Sequence, residues 1–281
     1  MSSSERISQH YGSAGLPDRI VSALKEAGKS LDSLTIEDLA PLDQFHTRGL
    51  AATRELIAFA GVKPGSRVLD VGSGLGGPAR VLAAEKNCHV TGVDITKEFC
   101  DVATMLSKMT RLNHSTAFRH GDATALPFQN RQFDLAVTIQ IQMSIENKRQ
   151  FYSEIFRVLK PGGRFVFQDI MDGLGGEIHL PVPWTTRREE NFLISVDALR
   201  EILKATDFKI ETLEDFSEEA LAWRKNQPAA AGLTLSPLGM HVVMGEQYVR
   251  MQSNMVQNLE ERRVAFVRGA ASKPQIGQDA A

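Results

Sequence analysis

The chain has 281 residues, enough for one large domain or a domain with a cap, and 42% hydrophobic with 23% charged residues excludes a disordered polymer. Its 32 Lys and Arg against 34 Asp and Glu leave a formal charge of −2, which removes the electrostatic reason to expect nucleic-acid or anionic-membrane binding. Two cysteines build no disulfide framework, and no apolar run approaches the roughly 20 residues that span a bilayer.

The opening MSSSERISQHYG has no apolar signal core, so a cytoplasmic protein is expected. Residues 1 to about 55 read mainly helical and polar. From Leu56 the patterning alternates between strand and helix. RVLDVG (67–72) is a strand, PARVLAAEK (78–86) a helix, CHVTGVD (88–94) a strand and KEFCDVATMLSKMTRL (97–112) an amphipathic helix. AFRHGD (117–122) and FDLAVTI (133–139) are strands, and KRQFYSEIFRVL (148–159) is a helix that stops at Lys160-Pro161-Gly162-Gly163. RFVFQDI (164–170), SVDALREILKATD (195–207) and FKIETLED (208–215) continue as strand, helix, strand. SEEALAWRK and EQYVRMQSNMVQNLEERR read as helices, and RVAFVRGA (263–270) as a final edge strand. Such alternation implies a mostly parallel α/β sheet covered on both faces. The expected organisation is an N-terminal helical unit to residue 55, a core over 56–216 with an insertion around 171–195, and a C-terminal unit over 217–281.

Asp70-Val-Gly72-Ser-Gly74-Leu-Gly76-Gly77 lies between a strand and a helix, where glycine permits a tight turn and close approach of a ligand to backbone N–H groups. Asp94 ends the next strand, where a carboxylate can accept from two ribose hydroxyls. Gly72, Gly74 and Gly77 also satisfy the dinucleotide pattern G-x-G-x-x-G, and the glycines could serve turn geometry alone. Asp70 separates these readings, because a carboxylate there suits a ligand bearing an ammonium group, such as the methionyl end of S-adenosylmethionine. Asp122, closing the third strand, could accept from an adenine amino group.

VLDVGSGLGG, GVDIT, GDATALPF and VLKPGG, in this order, resemble class I S-adenosylmethionine-dependent methyltransferases over about Gly61 to Phe216. Within that superfamily the chain looks most like the small-molecule sarcosine/dimethylglycine and phosphoethanolamine N-methyltransferases, and GLAAT (49–53) resembles a segment they place beside the cofactor. The resemblance implies a Rossmann-like seven-stranded sheet with its last strand antiparallel. It places Asp70, Gly72, Gly74 and Gly76 at the methionyl end of S-adenosylmethionine, Asp94 and Ile95 at the ribose, and Asp122 and Ala123 at the adenine.

The acceptor site should lie over the strand ends, at Gln140, Gln142, Met143 and Asp169. Of these, Gln140 is assigned to the cofactor, Gln142 to catalysis, and Met143 and Asp169 to the acceptor. The related enzymes commonly have a His or Asp after strand four; TIQIQMSIENK has no ionisable group before Glu146, so alignment and water exclusion should dominate over base catalysis. The N-terminal unit should fold over the cofactor as a lid, bringing Tyr11, Gln44 and His46, with His46 the candidate base. Its removal should leave the sheet folded. Trp184 should wall the acceptor pocket. Cys88 and Cys100 read as packed residues, and no metal site is expected. The expected function is methyl transfer to a small-molecule N, O or C nucleophile, by a monomer or a homodimer through the C-terminal helices. A nicotinamide-dinucleotide oxidoreductase and a non-catalytic cofactor-binding or interaction protein are the competing readings.

Overall fold

The computed structural model describes residues 15–227 and 236–275. Three helices come first: α1 (Leu16–Glu26), α2 (Ile36–Asp43) and α3 (Gly49–Ala60). Thr35 and Asp38 form a reciprocal capping box that fixes the start of α2. The alternation then runs β1 (Arg67–Val71), α4 (Gly77–Lys86), β2 (His89–Asp94), α5 (Lys97–Met109), β3 (Thr116–His120), β4 (Phe133–Ile139), α6 (Lys148–Val158) and β5 (Leu159–Asp172). It closes with α7 (Val196–Ala205), β6 (Lys209–Asp215), α8 (Ser217–Lys225), α9 (His241–Met244), α10 (Tyr248–Glu260) and β7 (Val264–Ser272). No described helix is long and apolar enough to cross a membrane.

The strands form one seven-stranded sheet in the order β3-β2-β1-β4-β5-β7-β6. β1 to β5 pair in parallel, and β7 runs antiparallel to both β5 and β6. RVAFVRGA is therefore a strand, but it is not the edge strand expected from the sequence. It inserts between β5 and β6, and β6 takes the edge. The burial patterns explain the placement: β7 is buried at most positions, whereas β6 has no fully buried residue. Side-chain parity divides the core. Leu69, Phe133, Phe165 and Phe167 pack on one face, and Val68, Leu135, Val137 and Val166 on the other.

The expected boundaries do not separate folding units. α3 runs across residue 55 and buries Leu56, Ile57 and Ala60 against one sheet face, and β7 brings the C-terminal unit inside the sheet. Leu16, Ile20 and Leu24 of α1 and Leu39 and Leu42 of α2 form a further core with Phe99, Val102 and Leu106 of α5. The Asp43 carboxylate, at the end of α2, meets the fully buried Arg80 guanidinium of α4 at 2.7 Å. Loss of residues 1–55 would therefore remove the carboxylate partner of Arg80 and uncover the α5 face that α1 and α2 bury, which weighs against the expectation that the sheet is indifferent to their removal.

Candidate active site

The C-terminal ends of β1, β2 and β4 open into a cavity of about 740 Å³. The glycine turn after β1 forms one wall, held to β2 by bonds from the Gly72 and Ser73 N–H groups to the Val93 carbonyl at 2.8 and 3.1 Å. Gly72 has φ +74°, and a Cβ there would lie 2.4 Å from Ile141 Cγ2. Gly74 also has positive φ, but its missing Cβ points into open space, with Phe45 the nearest group at 3.9 Å. Gly76 plays a different part from the one expected. It caps α4 at φ +79°, where a Cβ would collide with Phe118 and Arg80, and it does not line the cavity.

Three carboxylates from three successive strand ends face this wall. Asp70 is buried, its Oδ2 has no hydrogen-bond partner, and burial together with the neighbouring Asp94 charge pushes its pKa up to about 7. Asp94 accepts from the Gly74 N–H at 2.8 Å and the Thr96 N–H at 2.9 Å, so it braces the turn it faces. Burial raises its pKa against these bonds. Asp122 accepts from the Thr124 N–H and hydroxyl, each at 2.7 Å, and Ile95 and Ala123 complete the strand-end lining. An orphaned buried carboxylate oxygen and a wall shaped by absent Cβ atoms fit an ammonium-bearing ligand. The pyrophosphate of a dinucleotide, drawn to the same glycine turn, would instead meet the Asp70 carboxylate.

After β4 the two glutamines separate. Gln140 holds a left-handed φ of +54°, a strain of roughly 1–3 kcal/mol for a non-glycine residue, and lines the cavity with its Nε2 buried and without a hydrogen-bond partner among the described residues. Gln142, expected in catalysis, faces away from the cavity: its Nε2 donates to the Ile170 carbonyl at 2.5 Å and its N–H to Asp169. Asp169, expected at the acceptor, is also outside the lining. It is fully enclosed, with burial pushing its pKa up to about 7, while burial pushes Lys148 down to about 7 beside it. Lys148 donates to the Gln142 and Ile145 carbonyls, so Asp169 and Lys148 clamp the turn that presents Met143 to the cavity.

The N-terminal helices supply Gln44 and His46 to the cavity; Tyr11 lies outside the described residues. His46 is buried, not the exposed histidine a surface segment would give. Its Nε2 donates to the Gly49 carbonyl at 3.0 Å and lies 2.9 Å from the Thr53 hydroxyl, which donates to Gln44 Oε1 at 2.6 Å. Burial lowers its pKa to about 4, which leaves a neutral ring at physiological pH and a weak base.

Trp184 lines the cavity, oriented by a 3.0 Å bond from its indole N–H to Asn191 Oδ1. The rest of this wall was not assigned to the site from the sequence, where the spacing of Met240 and Met244 reads first as a helix packing face. α8 contributes Trp223 and Arg224, and Tyr248 and Gln252 come from α10, with Met240 and Met244 beside them. Arg224 is buried, donating to Thr47 Oγ1 at 2.6 Å and Gln252 Oε1 at 2.7 Å, with its guanidinium 5.6 Å from the centre of the Phe266 ring. Burial lowers its pKa to about 10, still charged at neutrality. In sequence, AWRK is an ordinary amphipathic helix, and only its insertion beside β7 makes the arginine internal.

Residues 69–167 match the family described as methyltransferase domain. A sterol 24-C-methyltransferase of Gibberella zeae is 40% identical over 105 residues, covering 37% of this chain and 28% of the relative. The chain thus spans less than a third of that relative's length. Geranyl diphosphate C-methyltransferase from Streptomyces coelicolor A3(2) superposes with a TM-score of 0.72 at 16% identity, covering 97% of this chain and 98% of that one. The [4+2]-cyclase SpnF superposes at 0.68 and 22% identity, covering 98% of each chain. Around the stretch that matches a methyltransferase domain, the chain thus has the seven-stranded class I methyltransferase fold.

Proposed function

We propose that the protein transfers a methyl group from S-adenosylmethionine to a small-molecule acceptor inside this cavity. The observation that carries the reading is the Asp70 carboxylate, buried with a partnerless oxygen beside the glycine turn. A cation is what such a group lacks, and the methionyl ammonium supplies one. In this reading Asp70, Gly72 and Gly74 hold the methionyl end, Asp94 and Ile95 the ribose, and Asp122 and Ala123 the adenine. Gln140, forced into its unusual backbone angle, offers its amide N–H groups at the junction between the cofactor and the acceptor.

When bound, the cofactor supplies a methyl group already attached to a good leaving group. The chain's task is then alignment and dehydration, with orientation worth roughly 7–11 kcal/mol in favourable cases. Trp184, Trp223, Met143 and the His46–Thr53–Gln44 chain enclose the acceptor, and the neutral His46 fixes the wall instead of taking a proton. We also assign the reaction to the cytoplasm; two buried, unpaired cysteines support a reducing compartment. A homodimer through the C-terminal helices completes the proposal, supported by the exposed Val249 on α10, and light scattering reads it directly.

Single-turnover transfer of radiolabelled methyl to a panel of metabolites, with amines, phenols and carboxylates equally represented, tests the function. Label appearing in a metabolite supports it. Binding of S-adenosylhomocysteine without transfer to any member would assign the cavity another chemistry on the same fold.

A further inference from the structure

Arg224 is a buried cation without a counter-ion among the described residues. Among the described residues no carboxylate lies within ion-pair distance of it, and both hydrogen-bond partners, Thr47 and Gln252, are neutral. Its Nε–H has no hydrogen-bond partner among the described residues. It is also the lone Lys or Arg among the described residues lining the cavity, whose other charged groups are carboxylates: Asp43, Asp70, Asp94, Asp122 and Glu146. A guanidinium enclosed at 4% exposure and left uncompensated is destabilising unless something anionic joins it.

We propose that the acceptor bears a single carboxylate on an apolar body, and that Arg224 receives this carboxylate while the aromatic and thioether wall holds the body. The proposal rests on the methyl-transfer reading of the cavity and names its substrate class. Charge decides for a monoanion: one guanidinium balances one carboxylate, whereas a phosphate dianion among five carboxylates would need further cations. Geometry agrees, since Thr47 and Gln252 each hold one terminal nitrogen and fix the plane of the fork, and five donors in that plane suit bidentate recognition. Trp184, Trp223, Met240 and Met244 are the apolar surface nearby in the lining. The cofactor's own carboxylate is the competing anion. The Arg224 side chain bonds to Thr47 and Gln252, and neither is among the residues that crowd the glycines of the turn, Ile141, Phe45 and Phe118 included.

The chain's two tryptophans, Trp184 and Trp223, both line the cavity, so intrinsic fluorescence reports on this wall directly. The test titrates protein saturated with S-adenosylhomocysteine using hexanoate, phenylacetate and 4-phenylbutyrate, their primary amides, and inorganic phosphate. At least one acid should quench or shift the emission and bind at least about tenfold tighter than its amide. Arg224→Gln should erase that preference, Arg224→Lys should keep part of it, and neither should change S-adenosylhomocysteine affinity more than about twofold. Because the charge is uncompensated without an acceptor, the Arg224→Gln apoprotein should melt no lower than the parent. Equal binding of acids and amides, no binding of any acid, tighter binding of phosphate, or a large loss of S-adenosylhomocysteine affinity in Arg224→Gln would each overturn the assignment. Failure of the parent protein to bind S-adenosylhomocysteine would instead refute the methyl-transfer reading beneath it.

Discussion

The two halves of the cavity are built in opposite ways. The half assigned to the cofactor comes from one continuous stretch, Asp70 to Ala123, in which successive strands deliver Asp70, Asp94 and Asp122 to neighbouring positions. The half assigned to the acceptor is assembled from the N-terminal helices, the turn after β4, the insertion after β5, and α8 to α10. The first half is acidic and shaped by backbone; the second is aromatic and carries one buried cation. A contiguous half built on strand ends conserves its geometry by hydrogen bonding within the sheet, whereas an assembled half can change its wall by changing any one of its segments.

The sharpest way to break this division is through the bond that crosses it. Asp43 belongs to the N-terminal helices and Arg80 to the helix that follows the glycine turn. Asp43→Ala should lower unfolding stability by about 3–5 kcal/mol, because it leaves a buried guanidinium unpaired. Urea denaturation measures this. A loss below about 1 kcal/mol would show that the N-terminal helices are a detachable cover after all.

Gly74→Val should leave the circular dichroism native while S-adenosylhomocysteine binding falls at least about a hundredfold, since the added branches enter open space in the cavity and a β-branched residue resists φ +50°. Calorimetry checks it, and near-normal affinity would move the ligand away from this wall.

A smaller effect is a titration. With its pKa pushed up to about 7, Asp70 carries a proton in the free protein on the acid side and must lose it to pair with an ammonium. Affinity for S-adenosylhomocysteine should therefore climb as pH rises toward 7, by at most about tenfold per unit, and level off above it. In the apoprotein the sign reverses: the folded state holds a proton that the unfolded state releases near pH 4, so this group's contribution to stability falls as pH rises from about 4 to 7. Asp169 titrates in the same range but lies outside the lining, so Asp70→Asn should flatten the binding profile; a profile unchanged in that variant assigns the limb elsewhere.

The smallest effect is at His46. A ring held near pKa 4 gives no limb between pH 6 and 8, so His46→Gln should change turnover of a responsive acceptor by less than about tenfold without altering the pH–rate shape. Loss of a limb near neutrality would make His46 the base.

What could be read from the sequence follows the same division. The glycine turn and its three carboxylates were legible because each requirement is local: a positive φ, a strand end, a fixed register. Gln140 and Gln142 are the same residue type two positions apart, and only the left-handed bend at Gln140 and the 3₁₀ turn at Gln142–Ser144 decide which one lines the cavity. Arg224 was invisible because an arginine on an amphipathic helix reads as solvated, and its burial is a property of α8, α10 and β7 together. The strand character of 264–272 was evident from its apolar run, but its place inside the sheet depends on antiparallel pairing with two partners distant in sequence.

The most direct measurement is calorimetric titration of S-adenosylhomocysteine and, separately, NAD into the parent protein and Asp94→Ala at pH 7.5. Asp94 lines the cavity while its carboxylate braces the glycine turn, so its loss removes a charged acceptor for the ribose and loosens the wall together. The account predicts stoichiometric binding of S-adenosylhomocysteine and none of NAD, with affinity at least about tenfold weaker in Asp94→Ala, as expected for a charge-assisted bond of roughly 1.5–3 kcal/mol. Binding of NAD in its place, or S-adenosylhomocysteine affinity indifferent to Asp94, would contradict it.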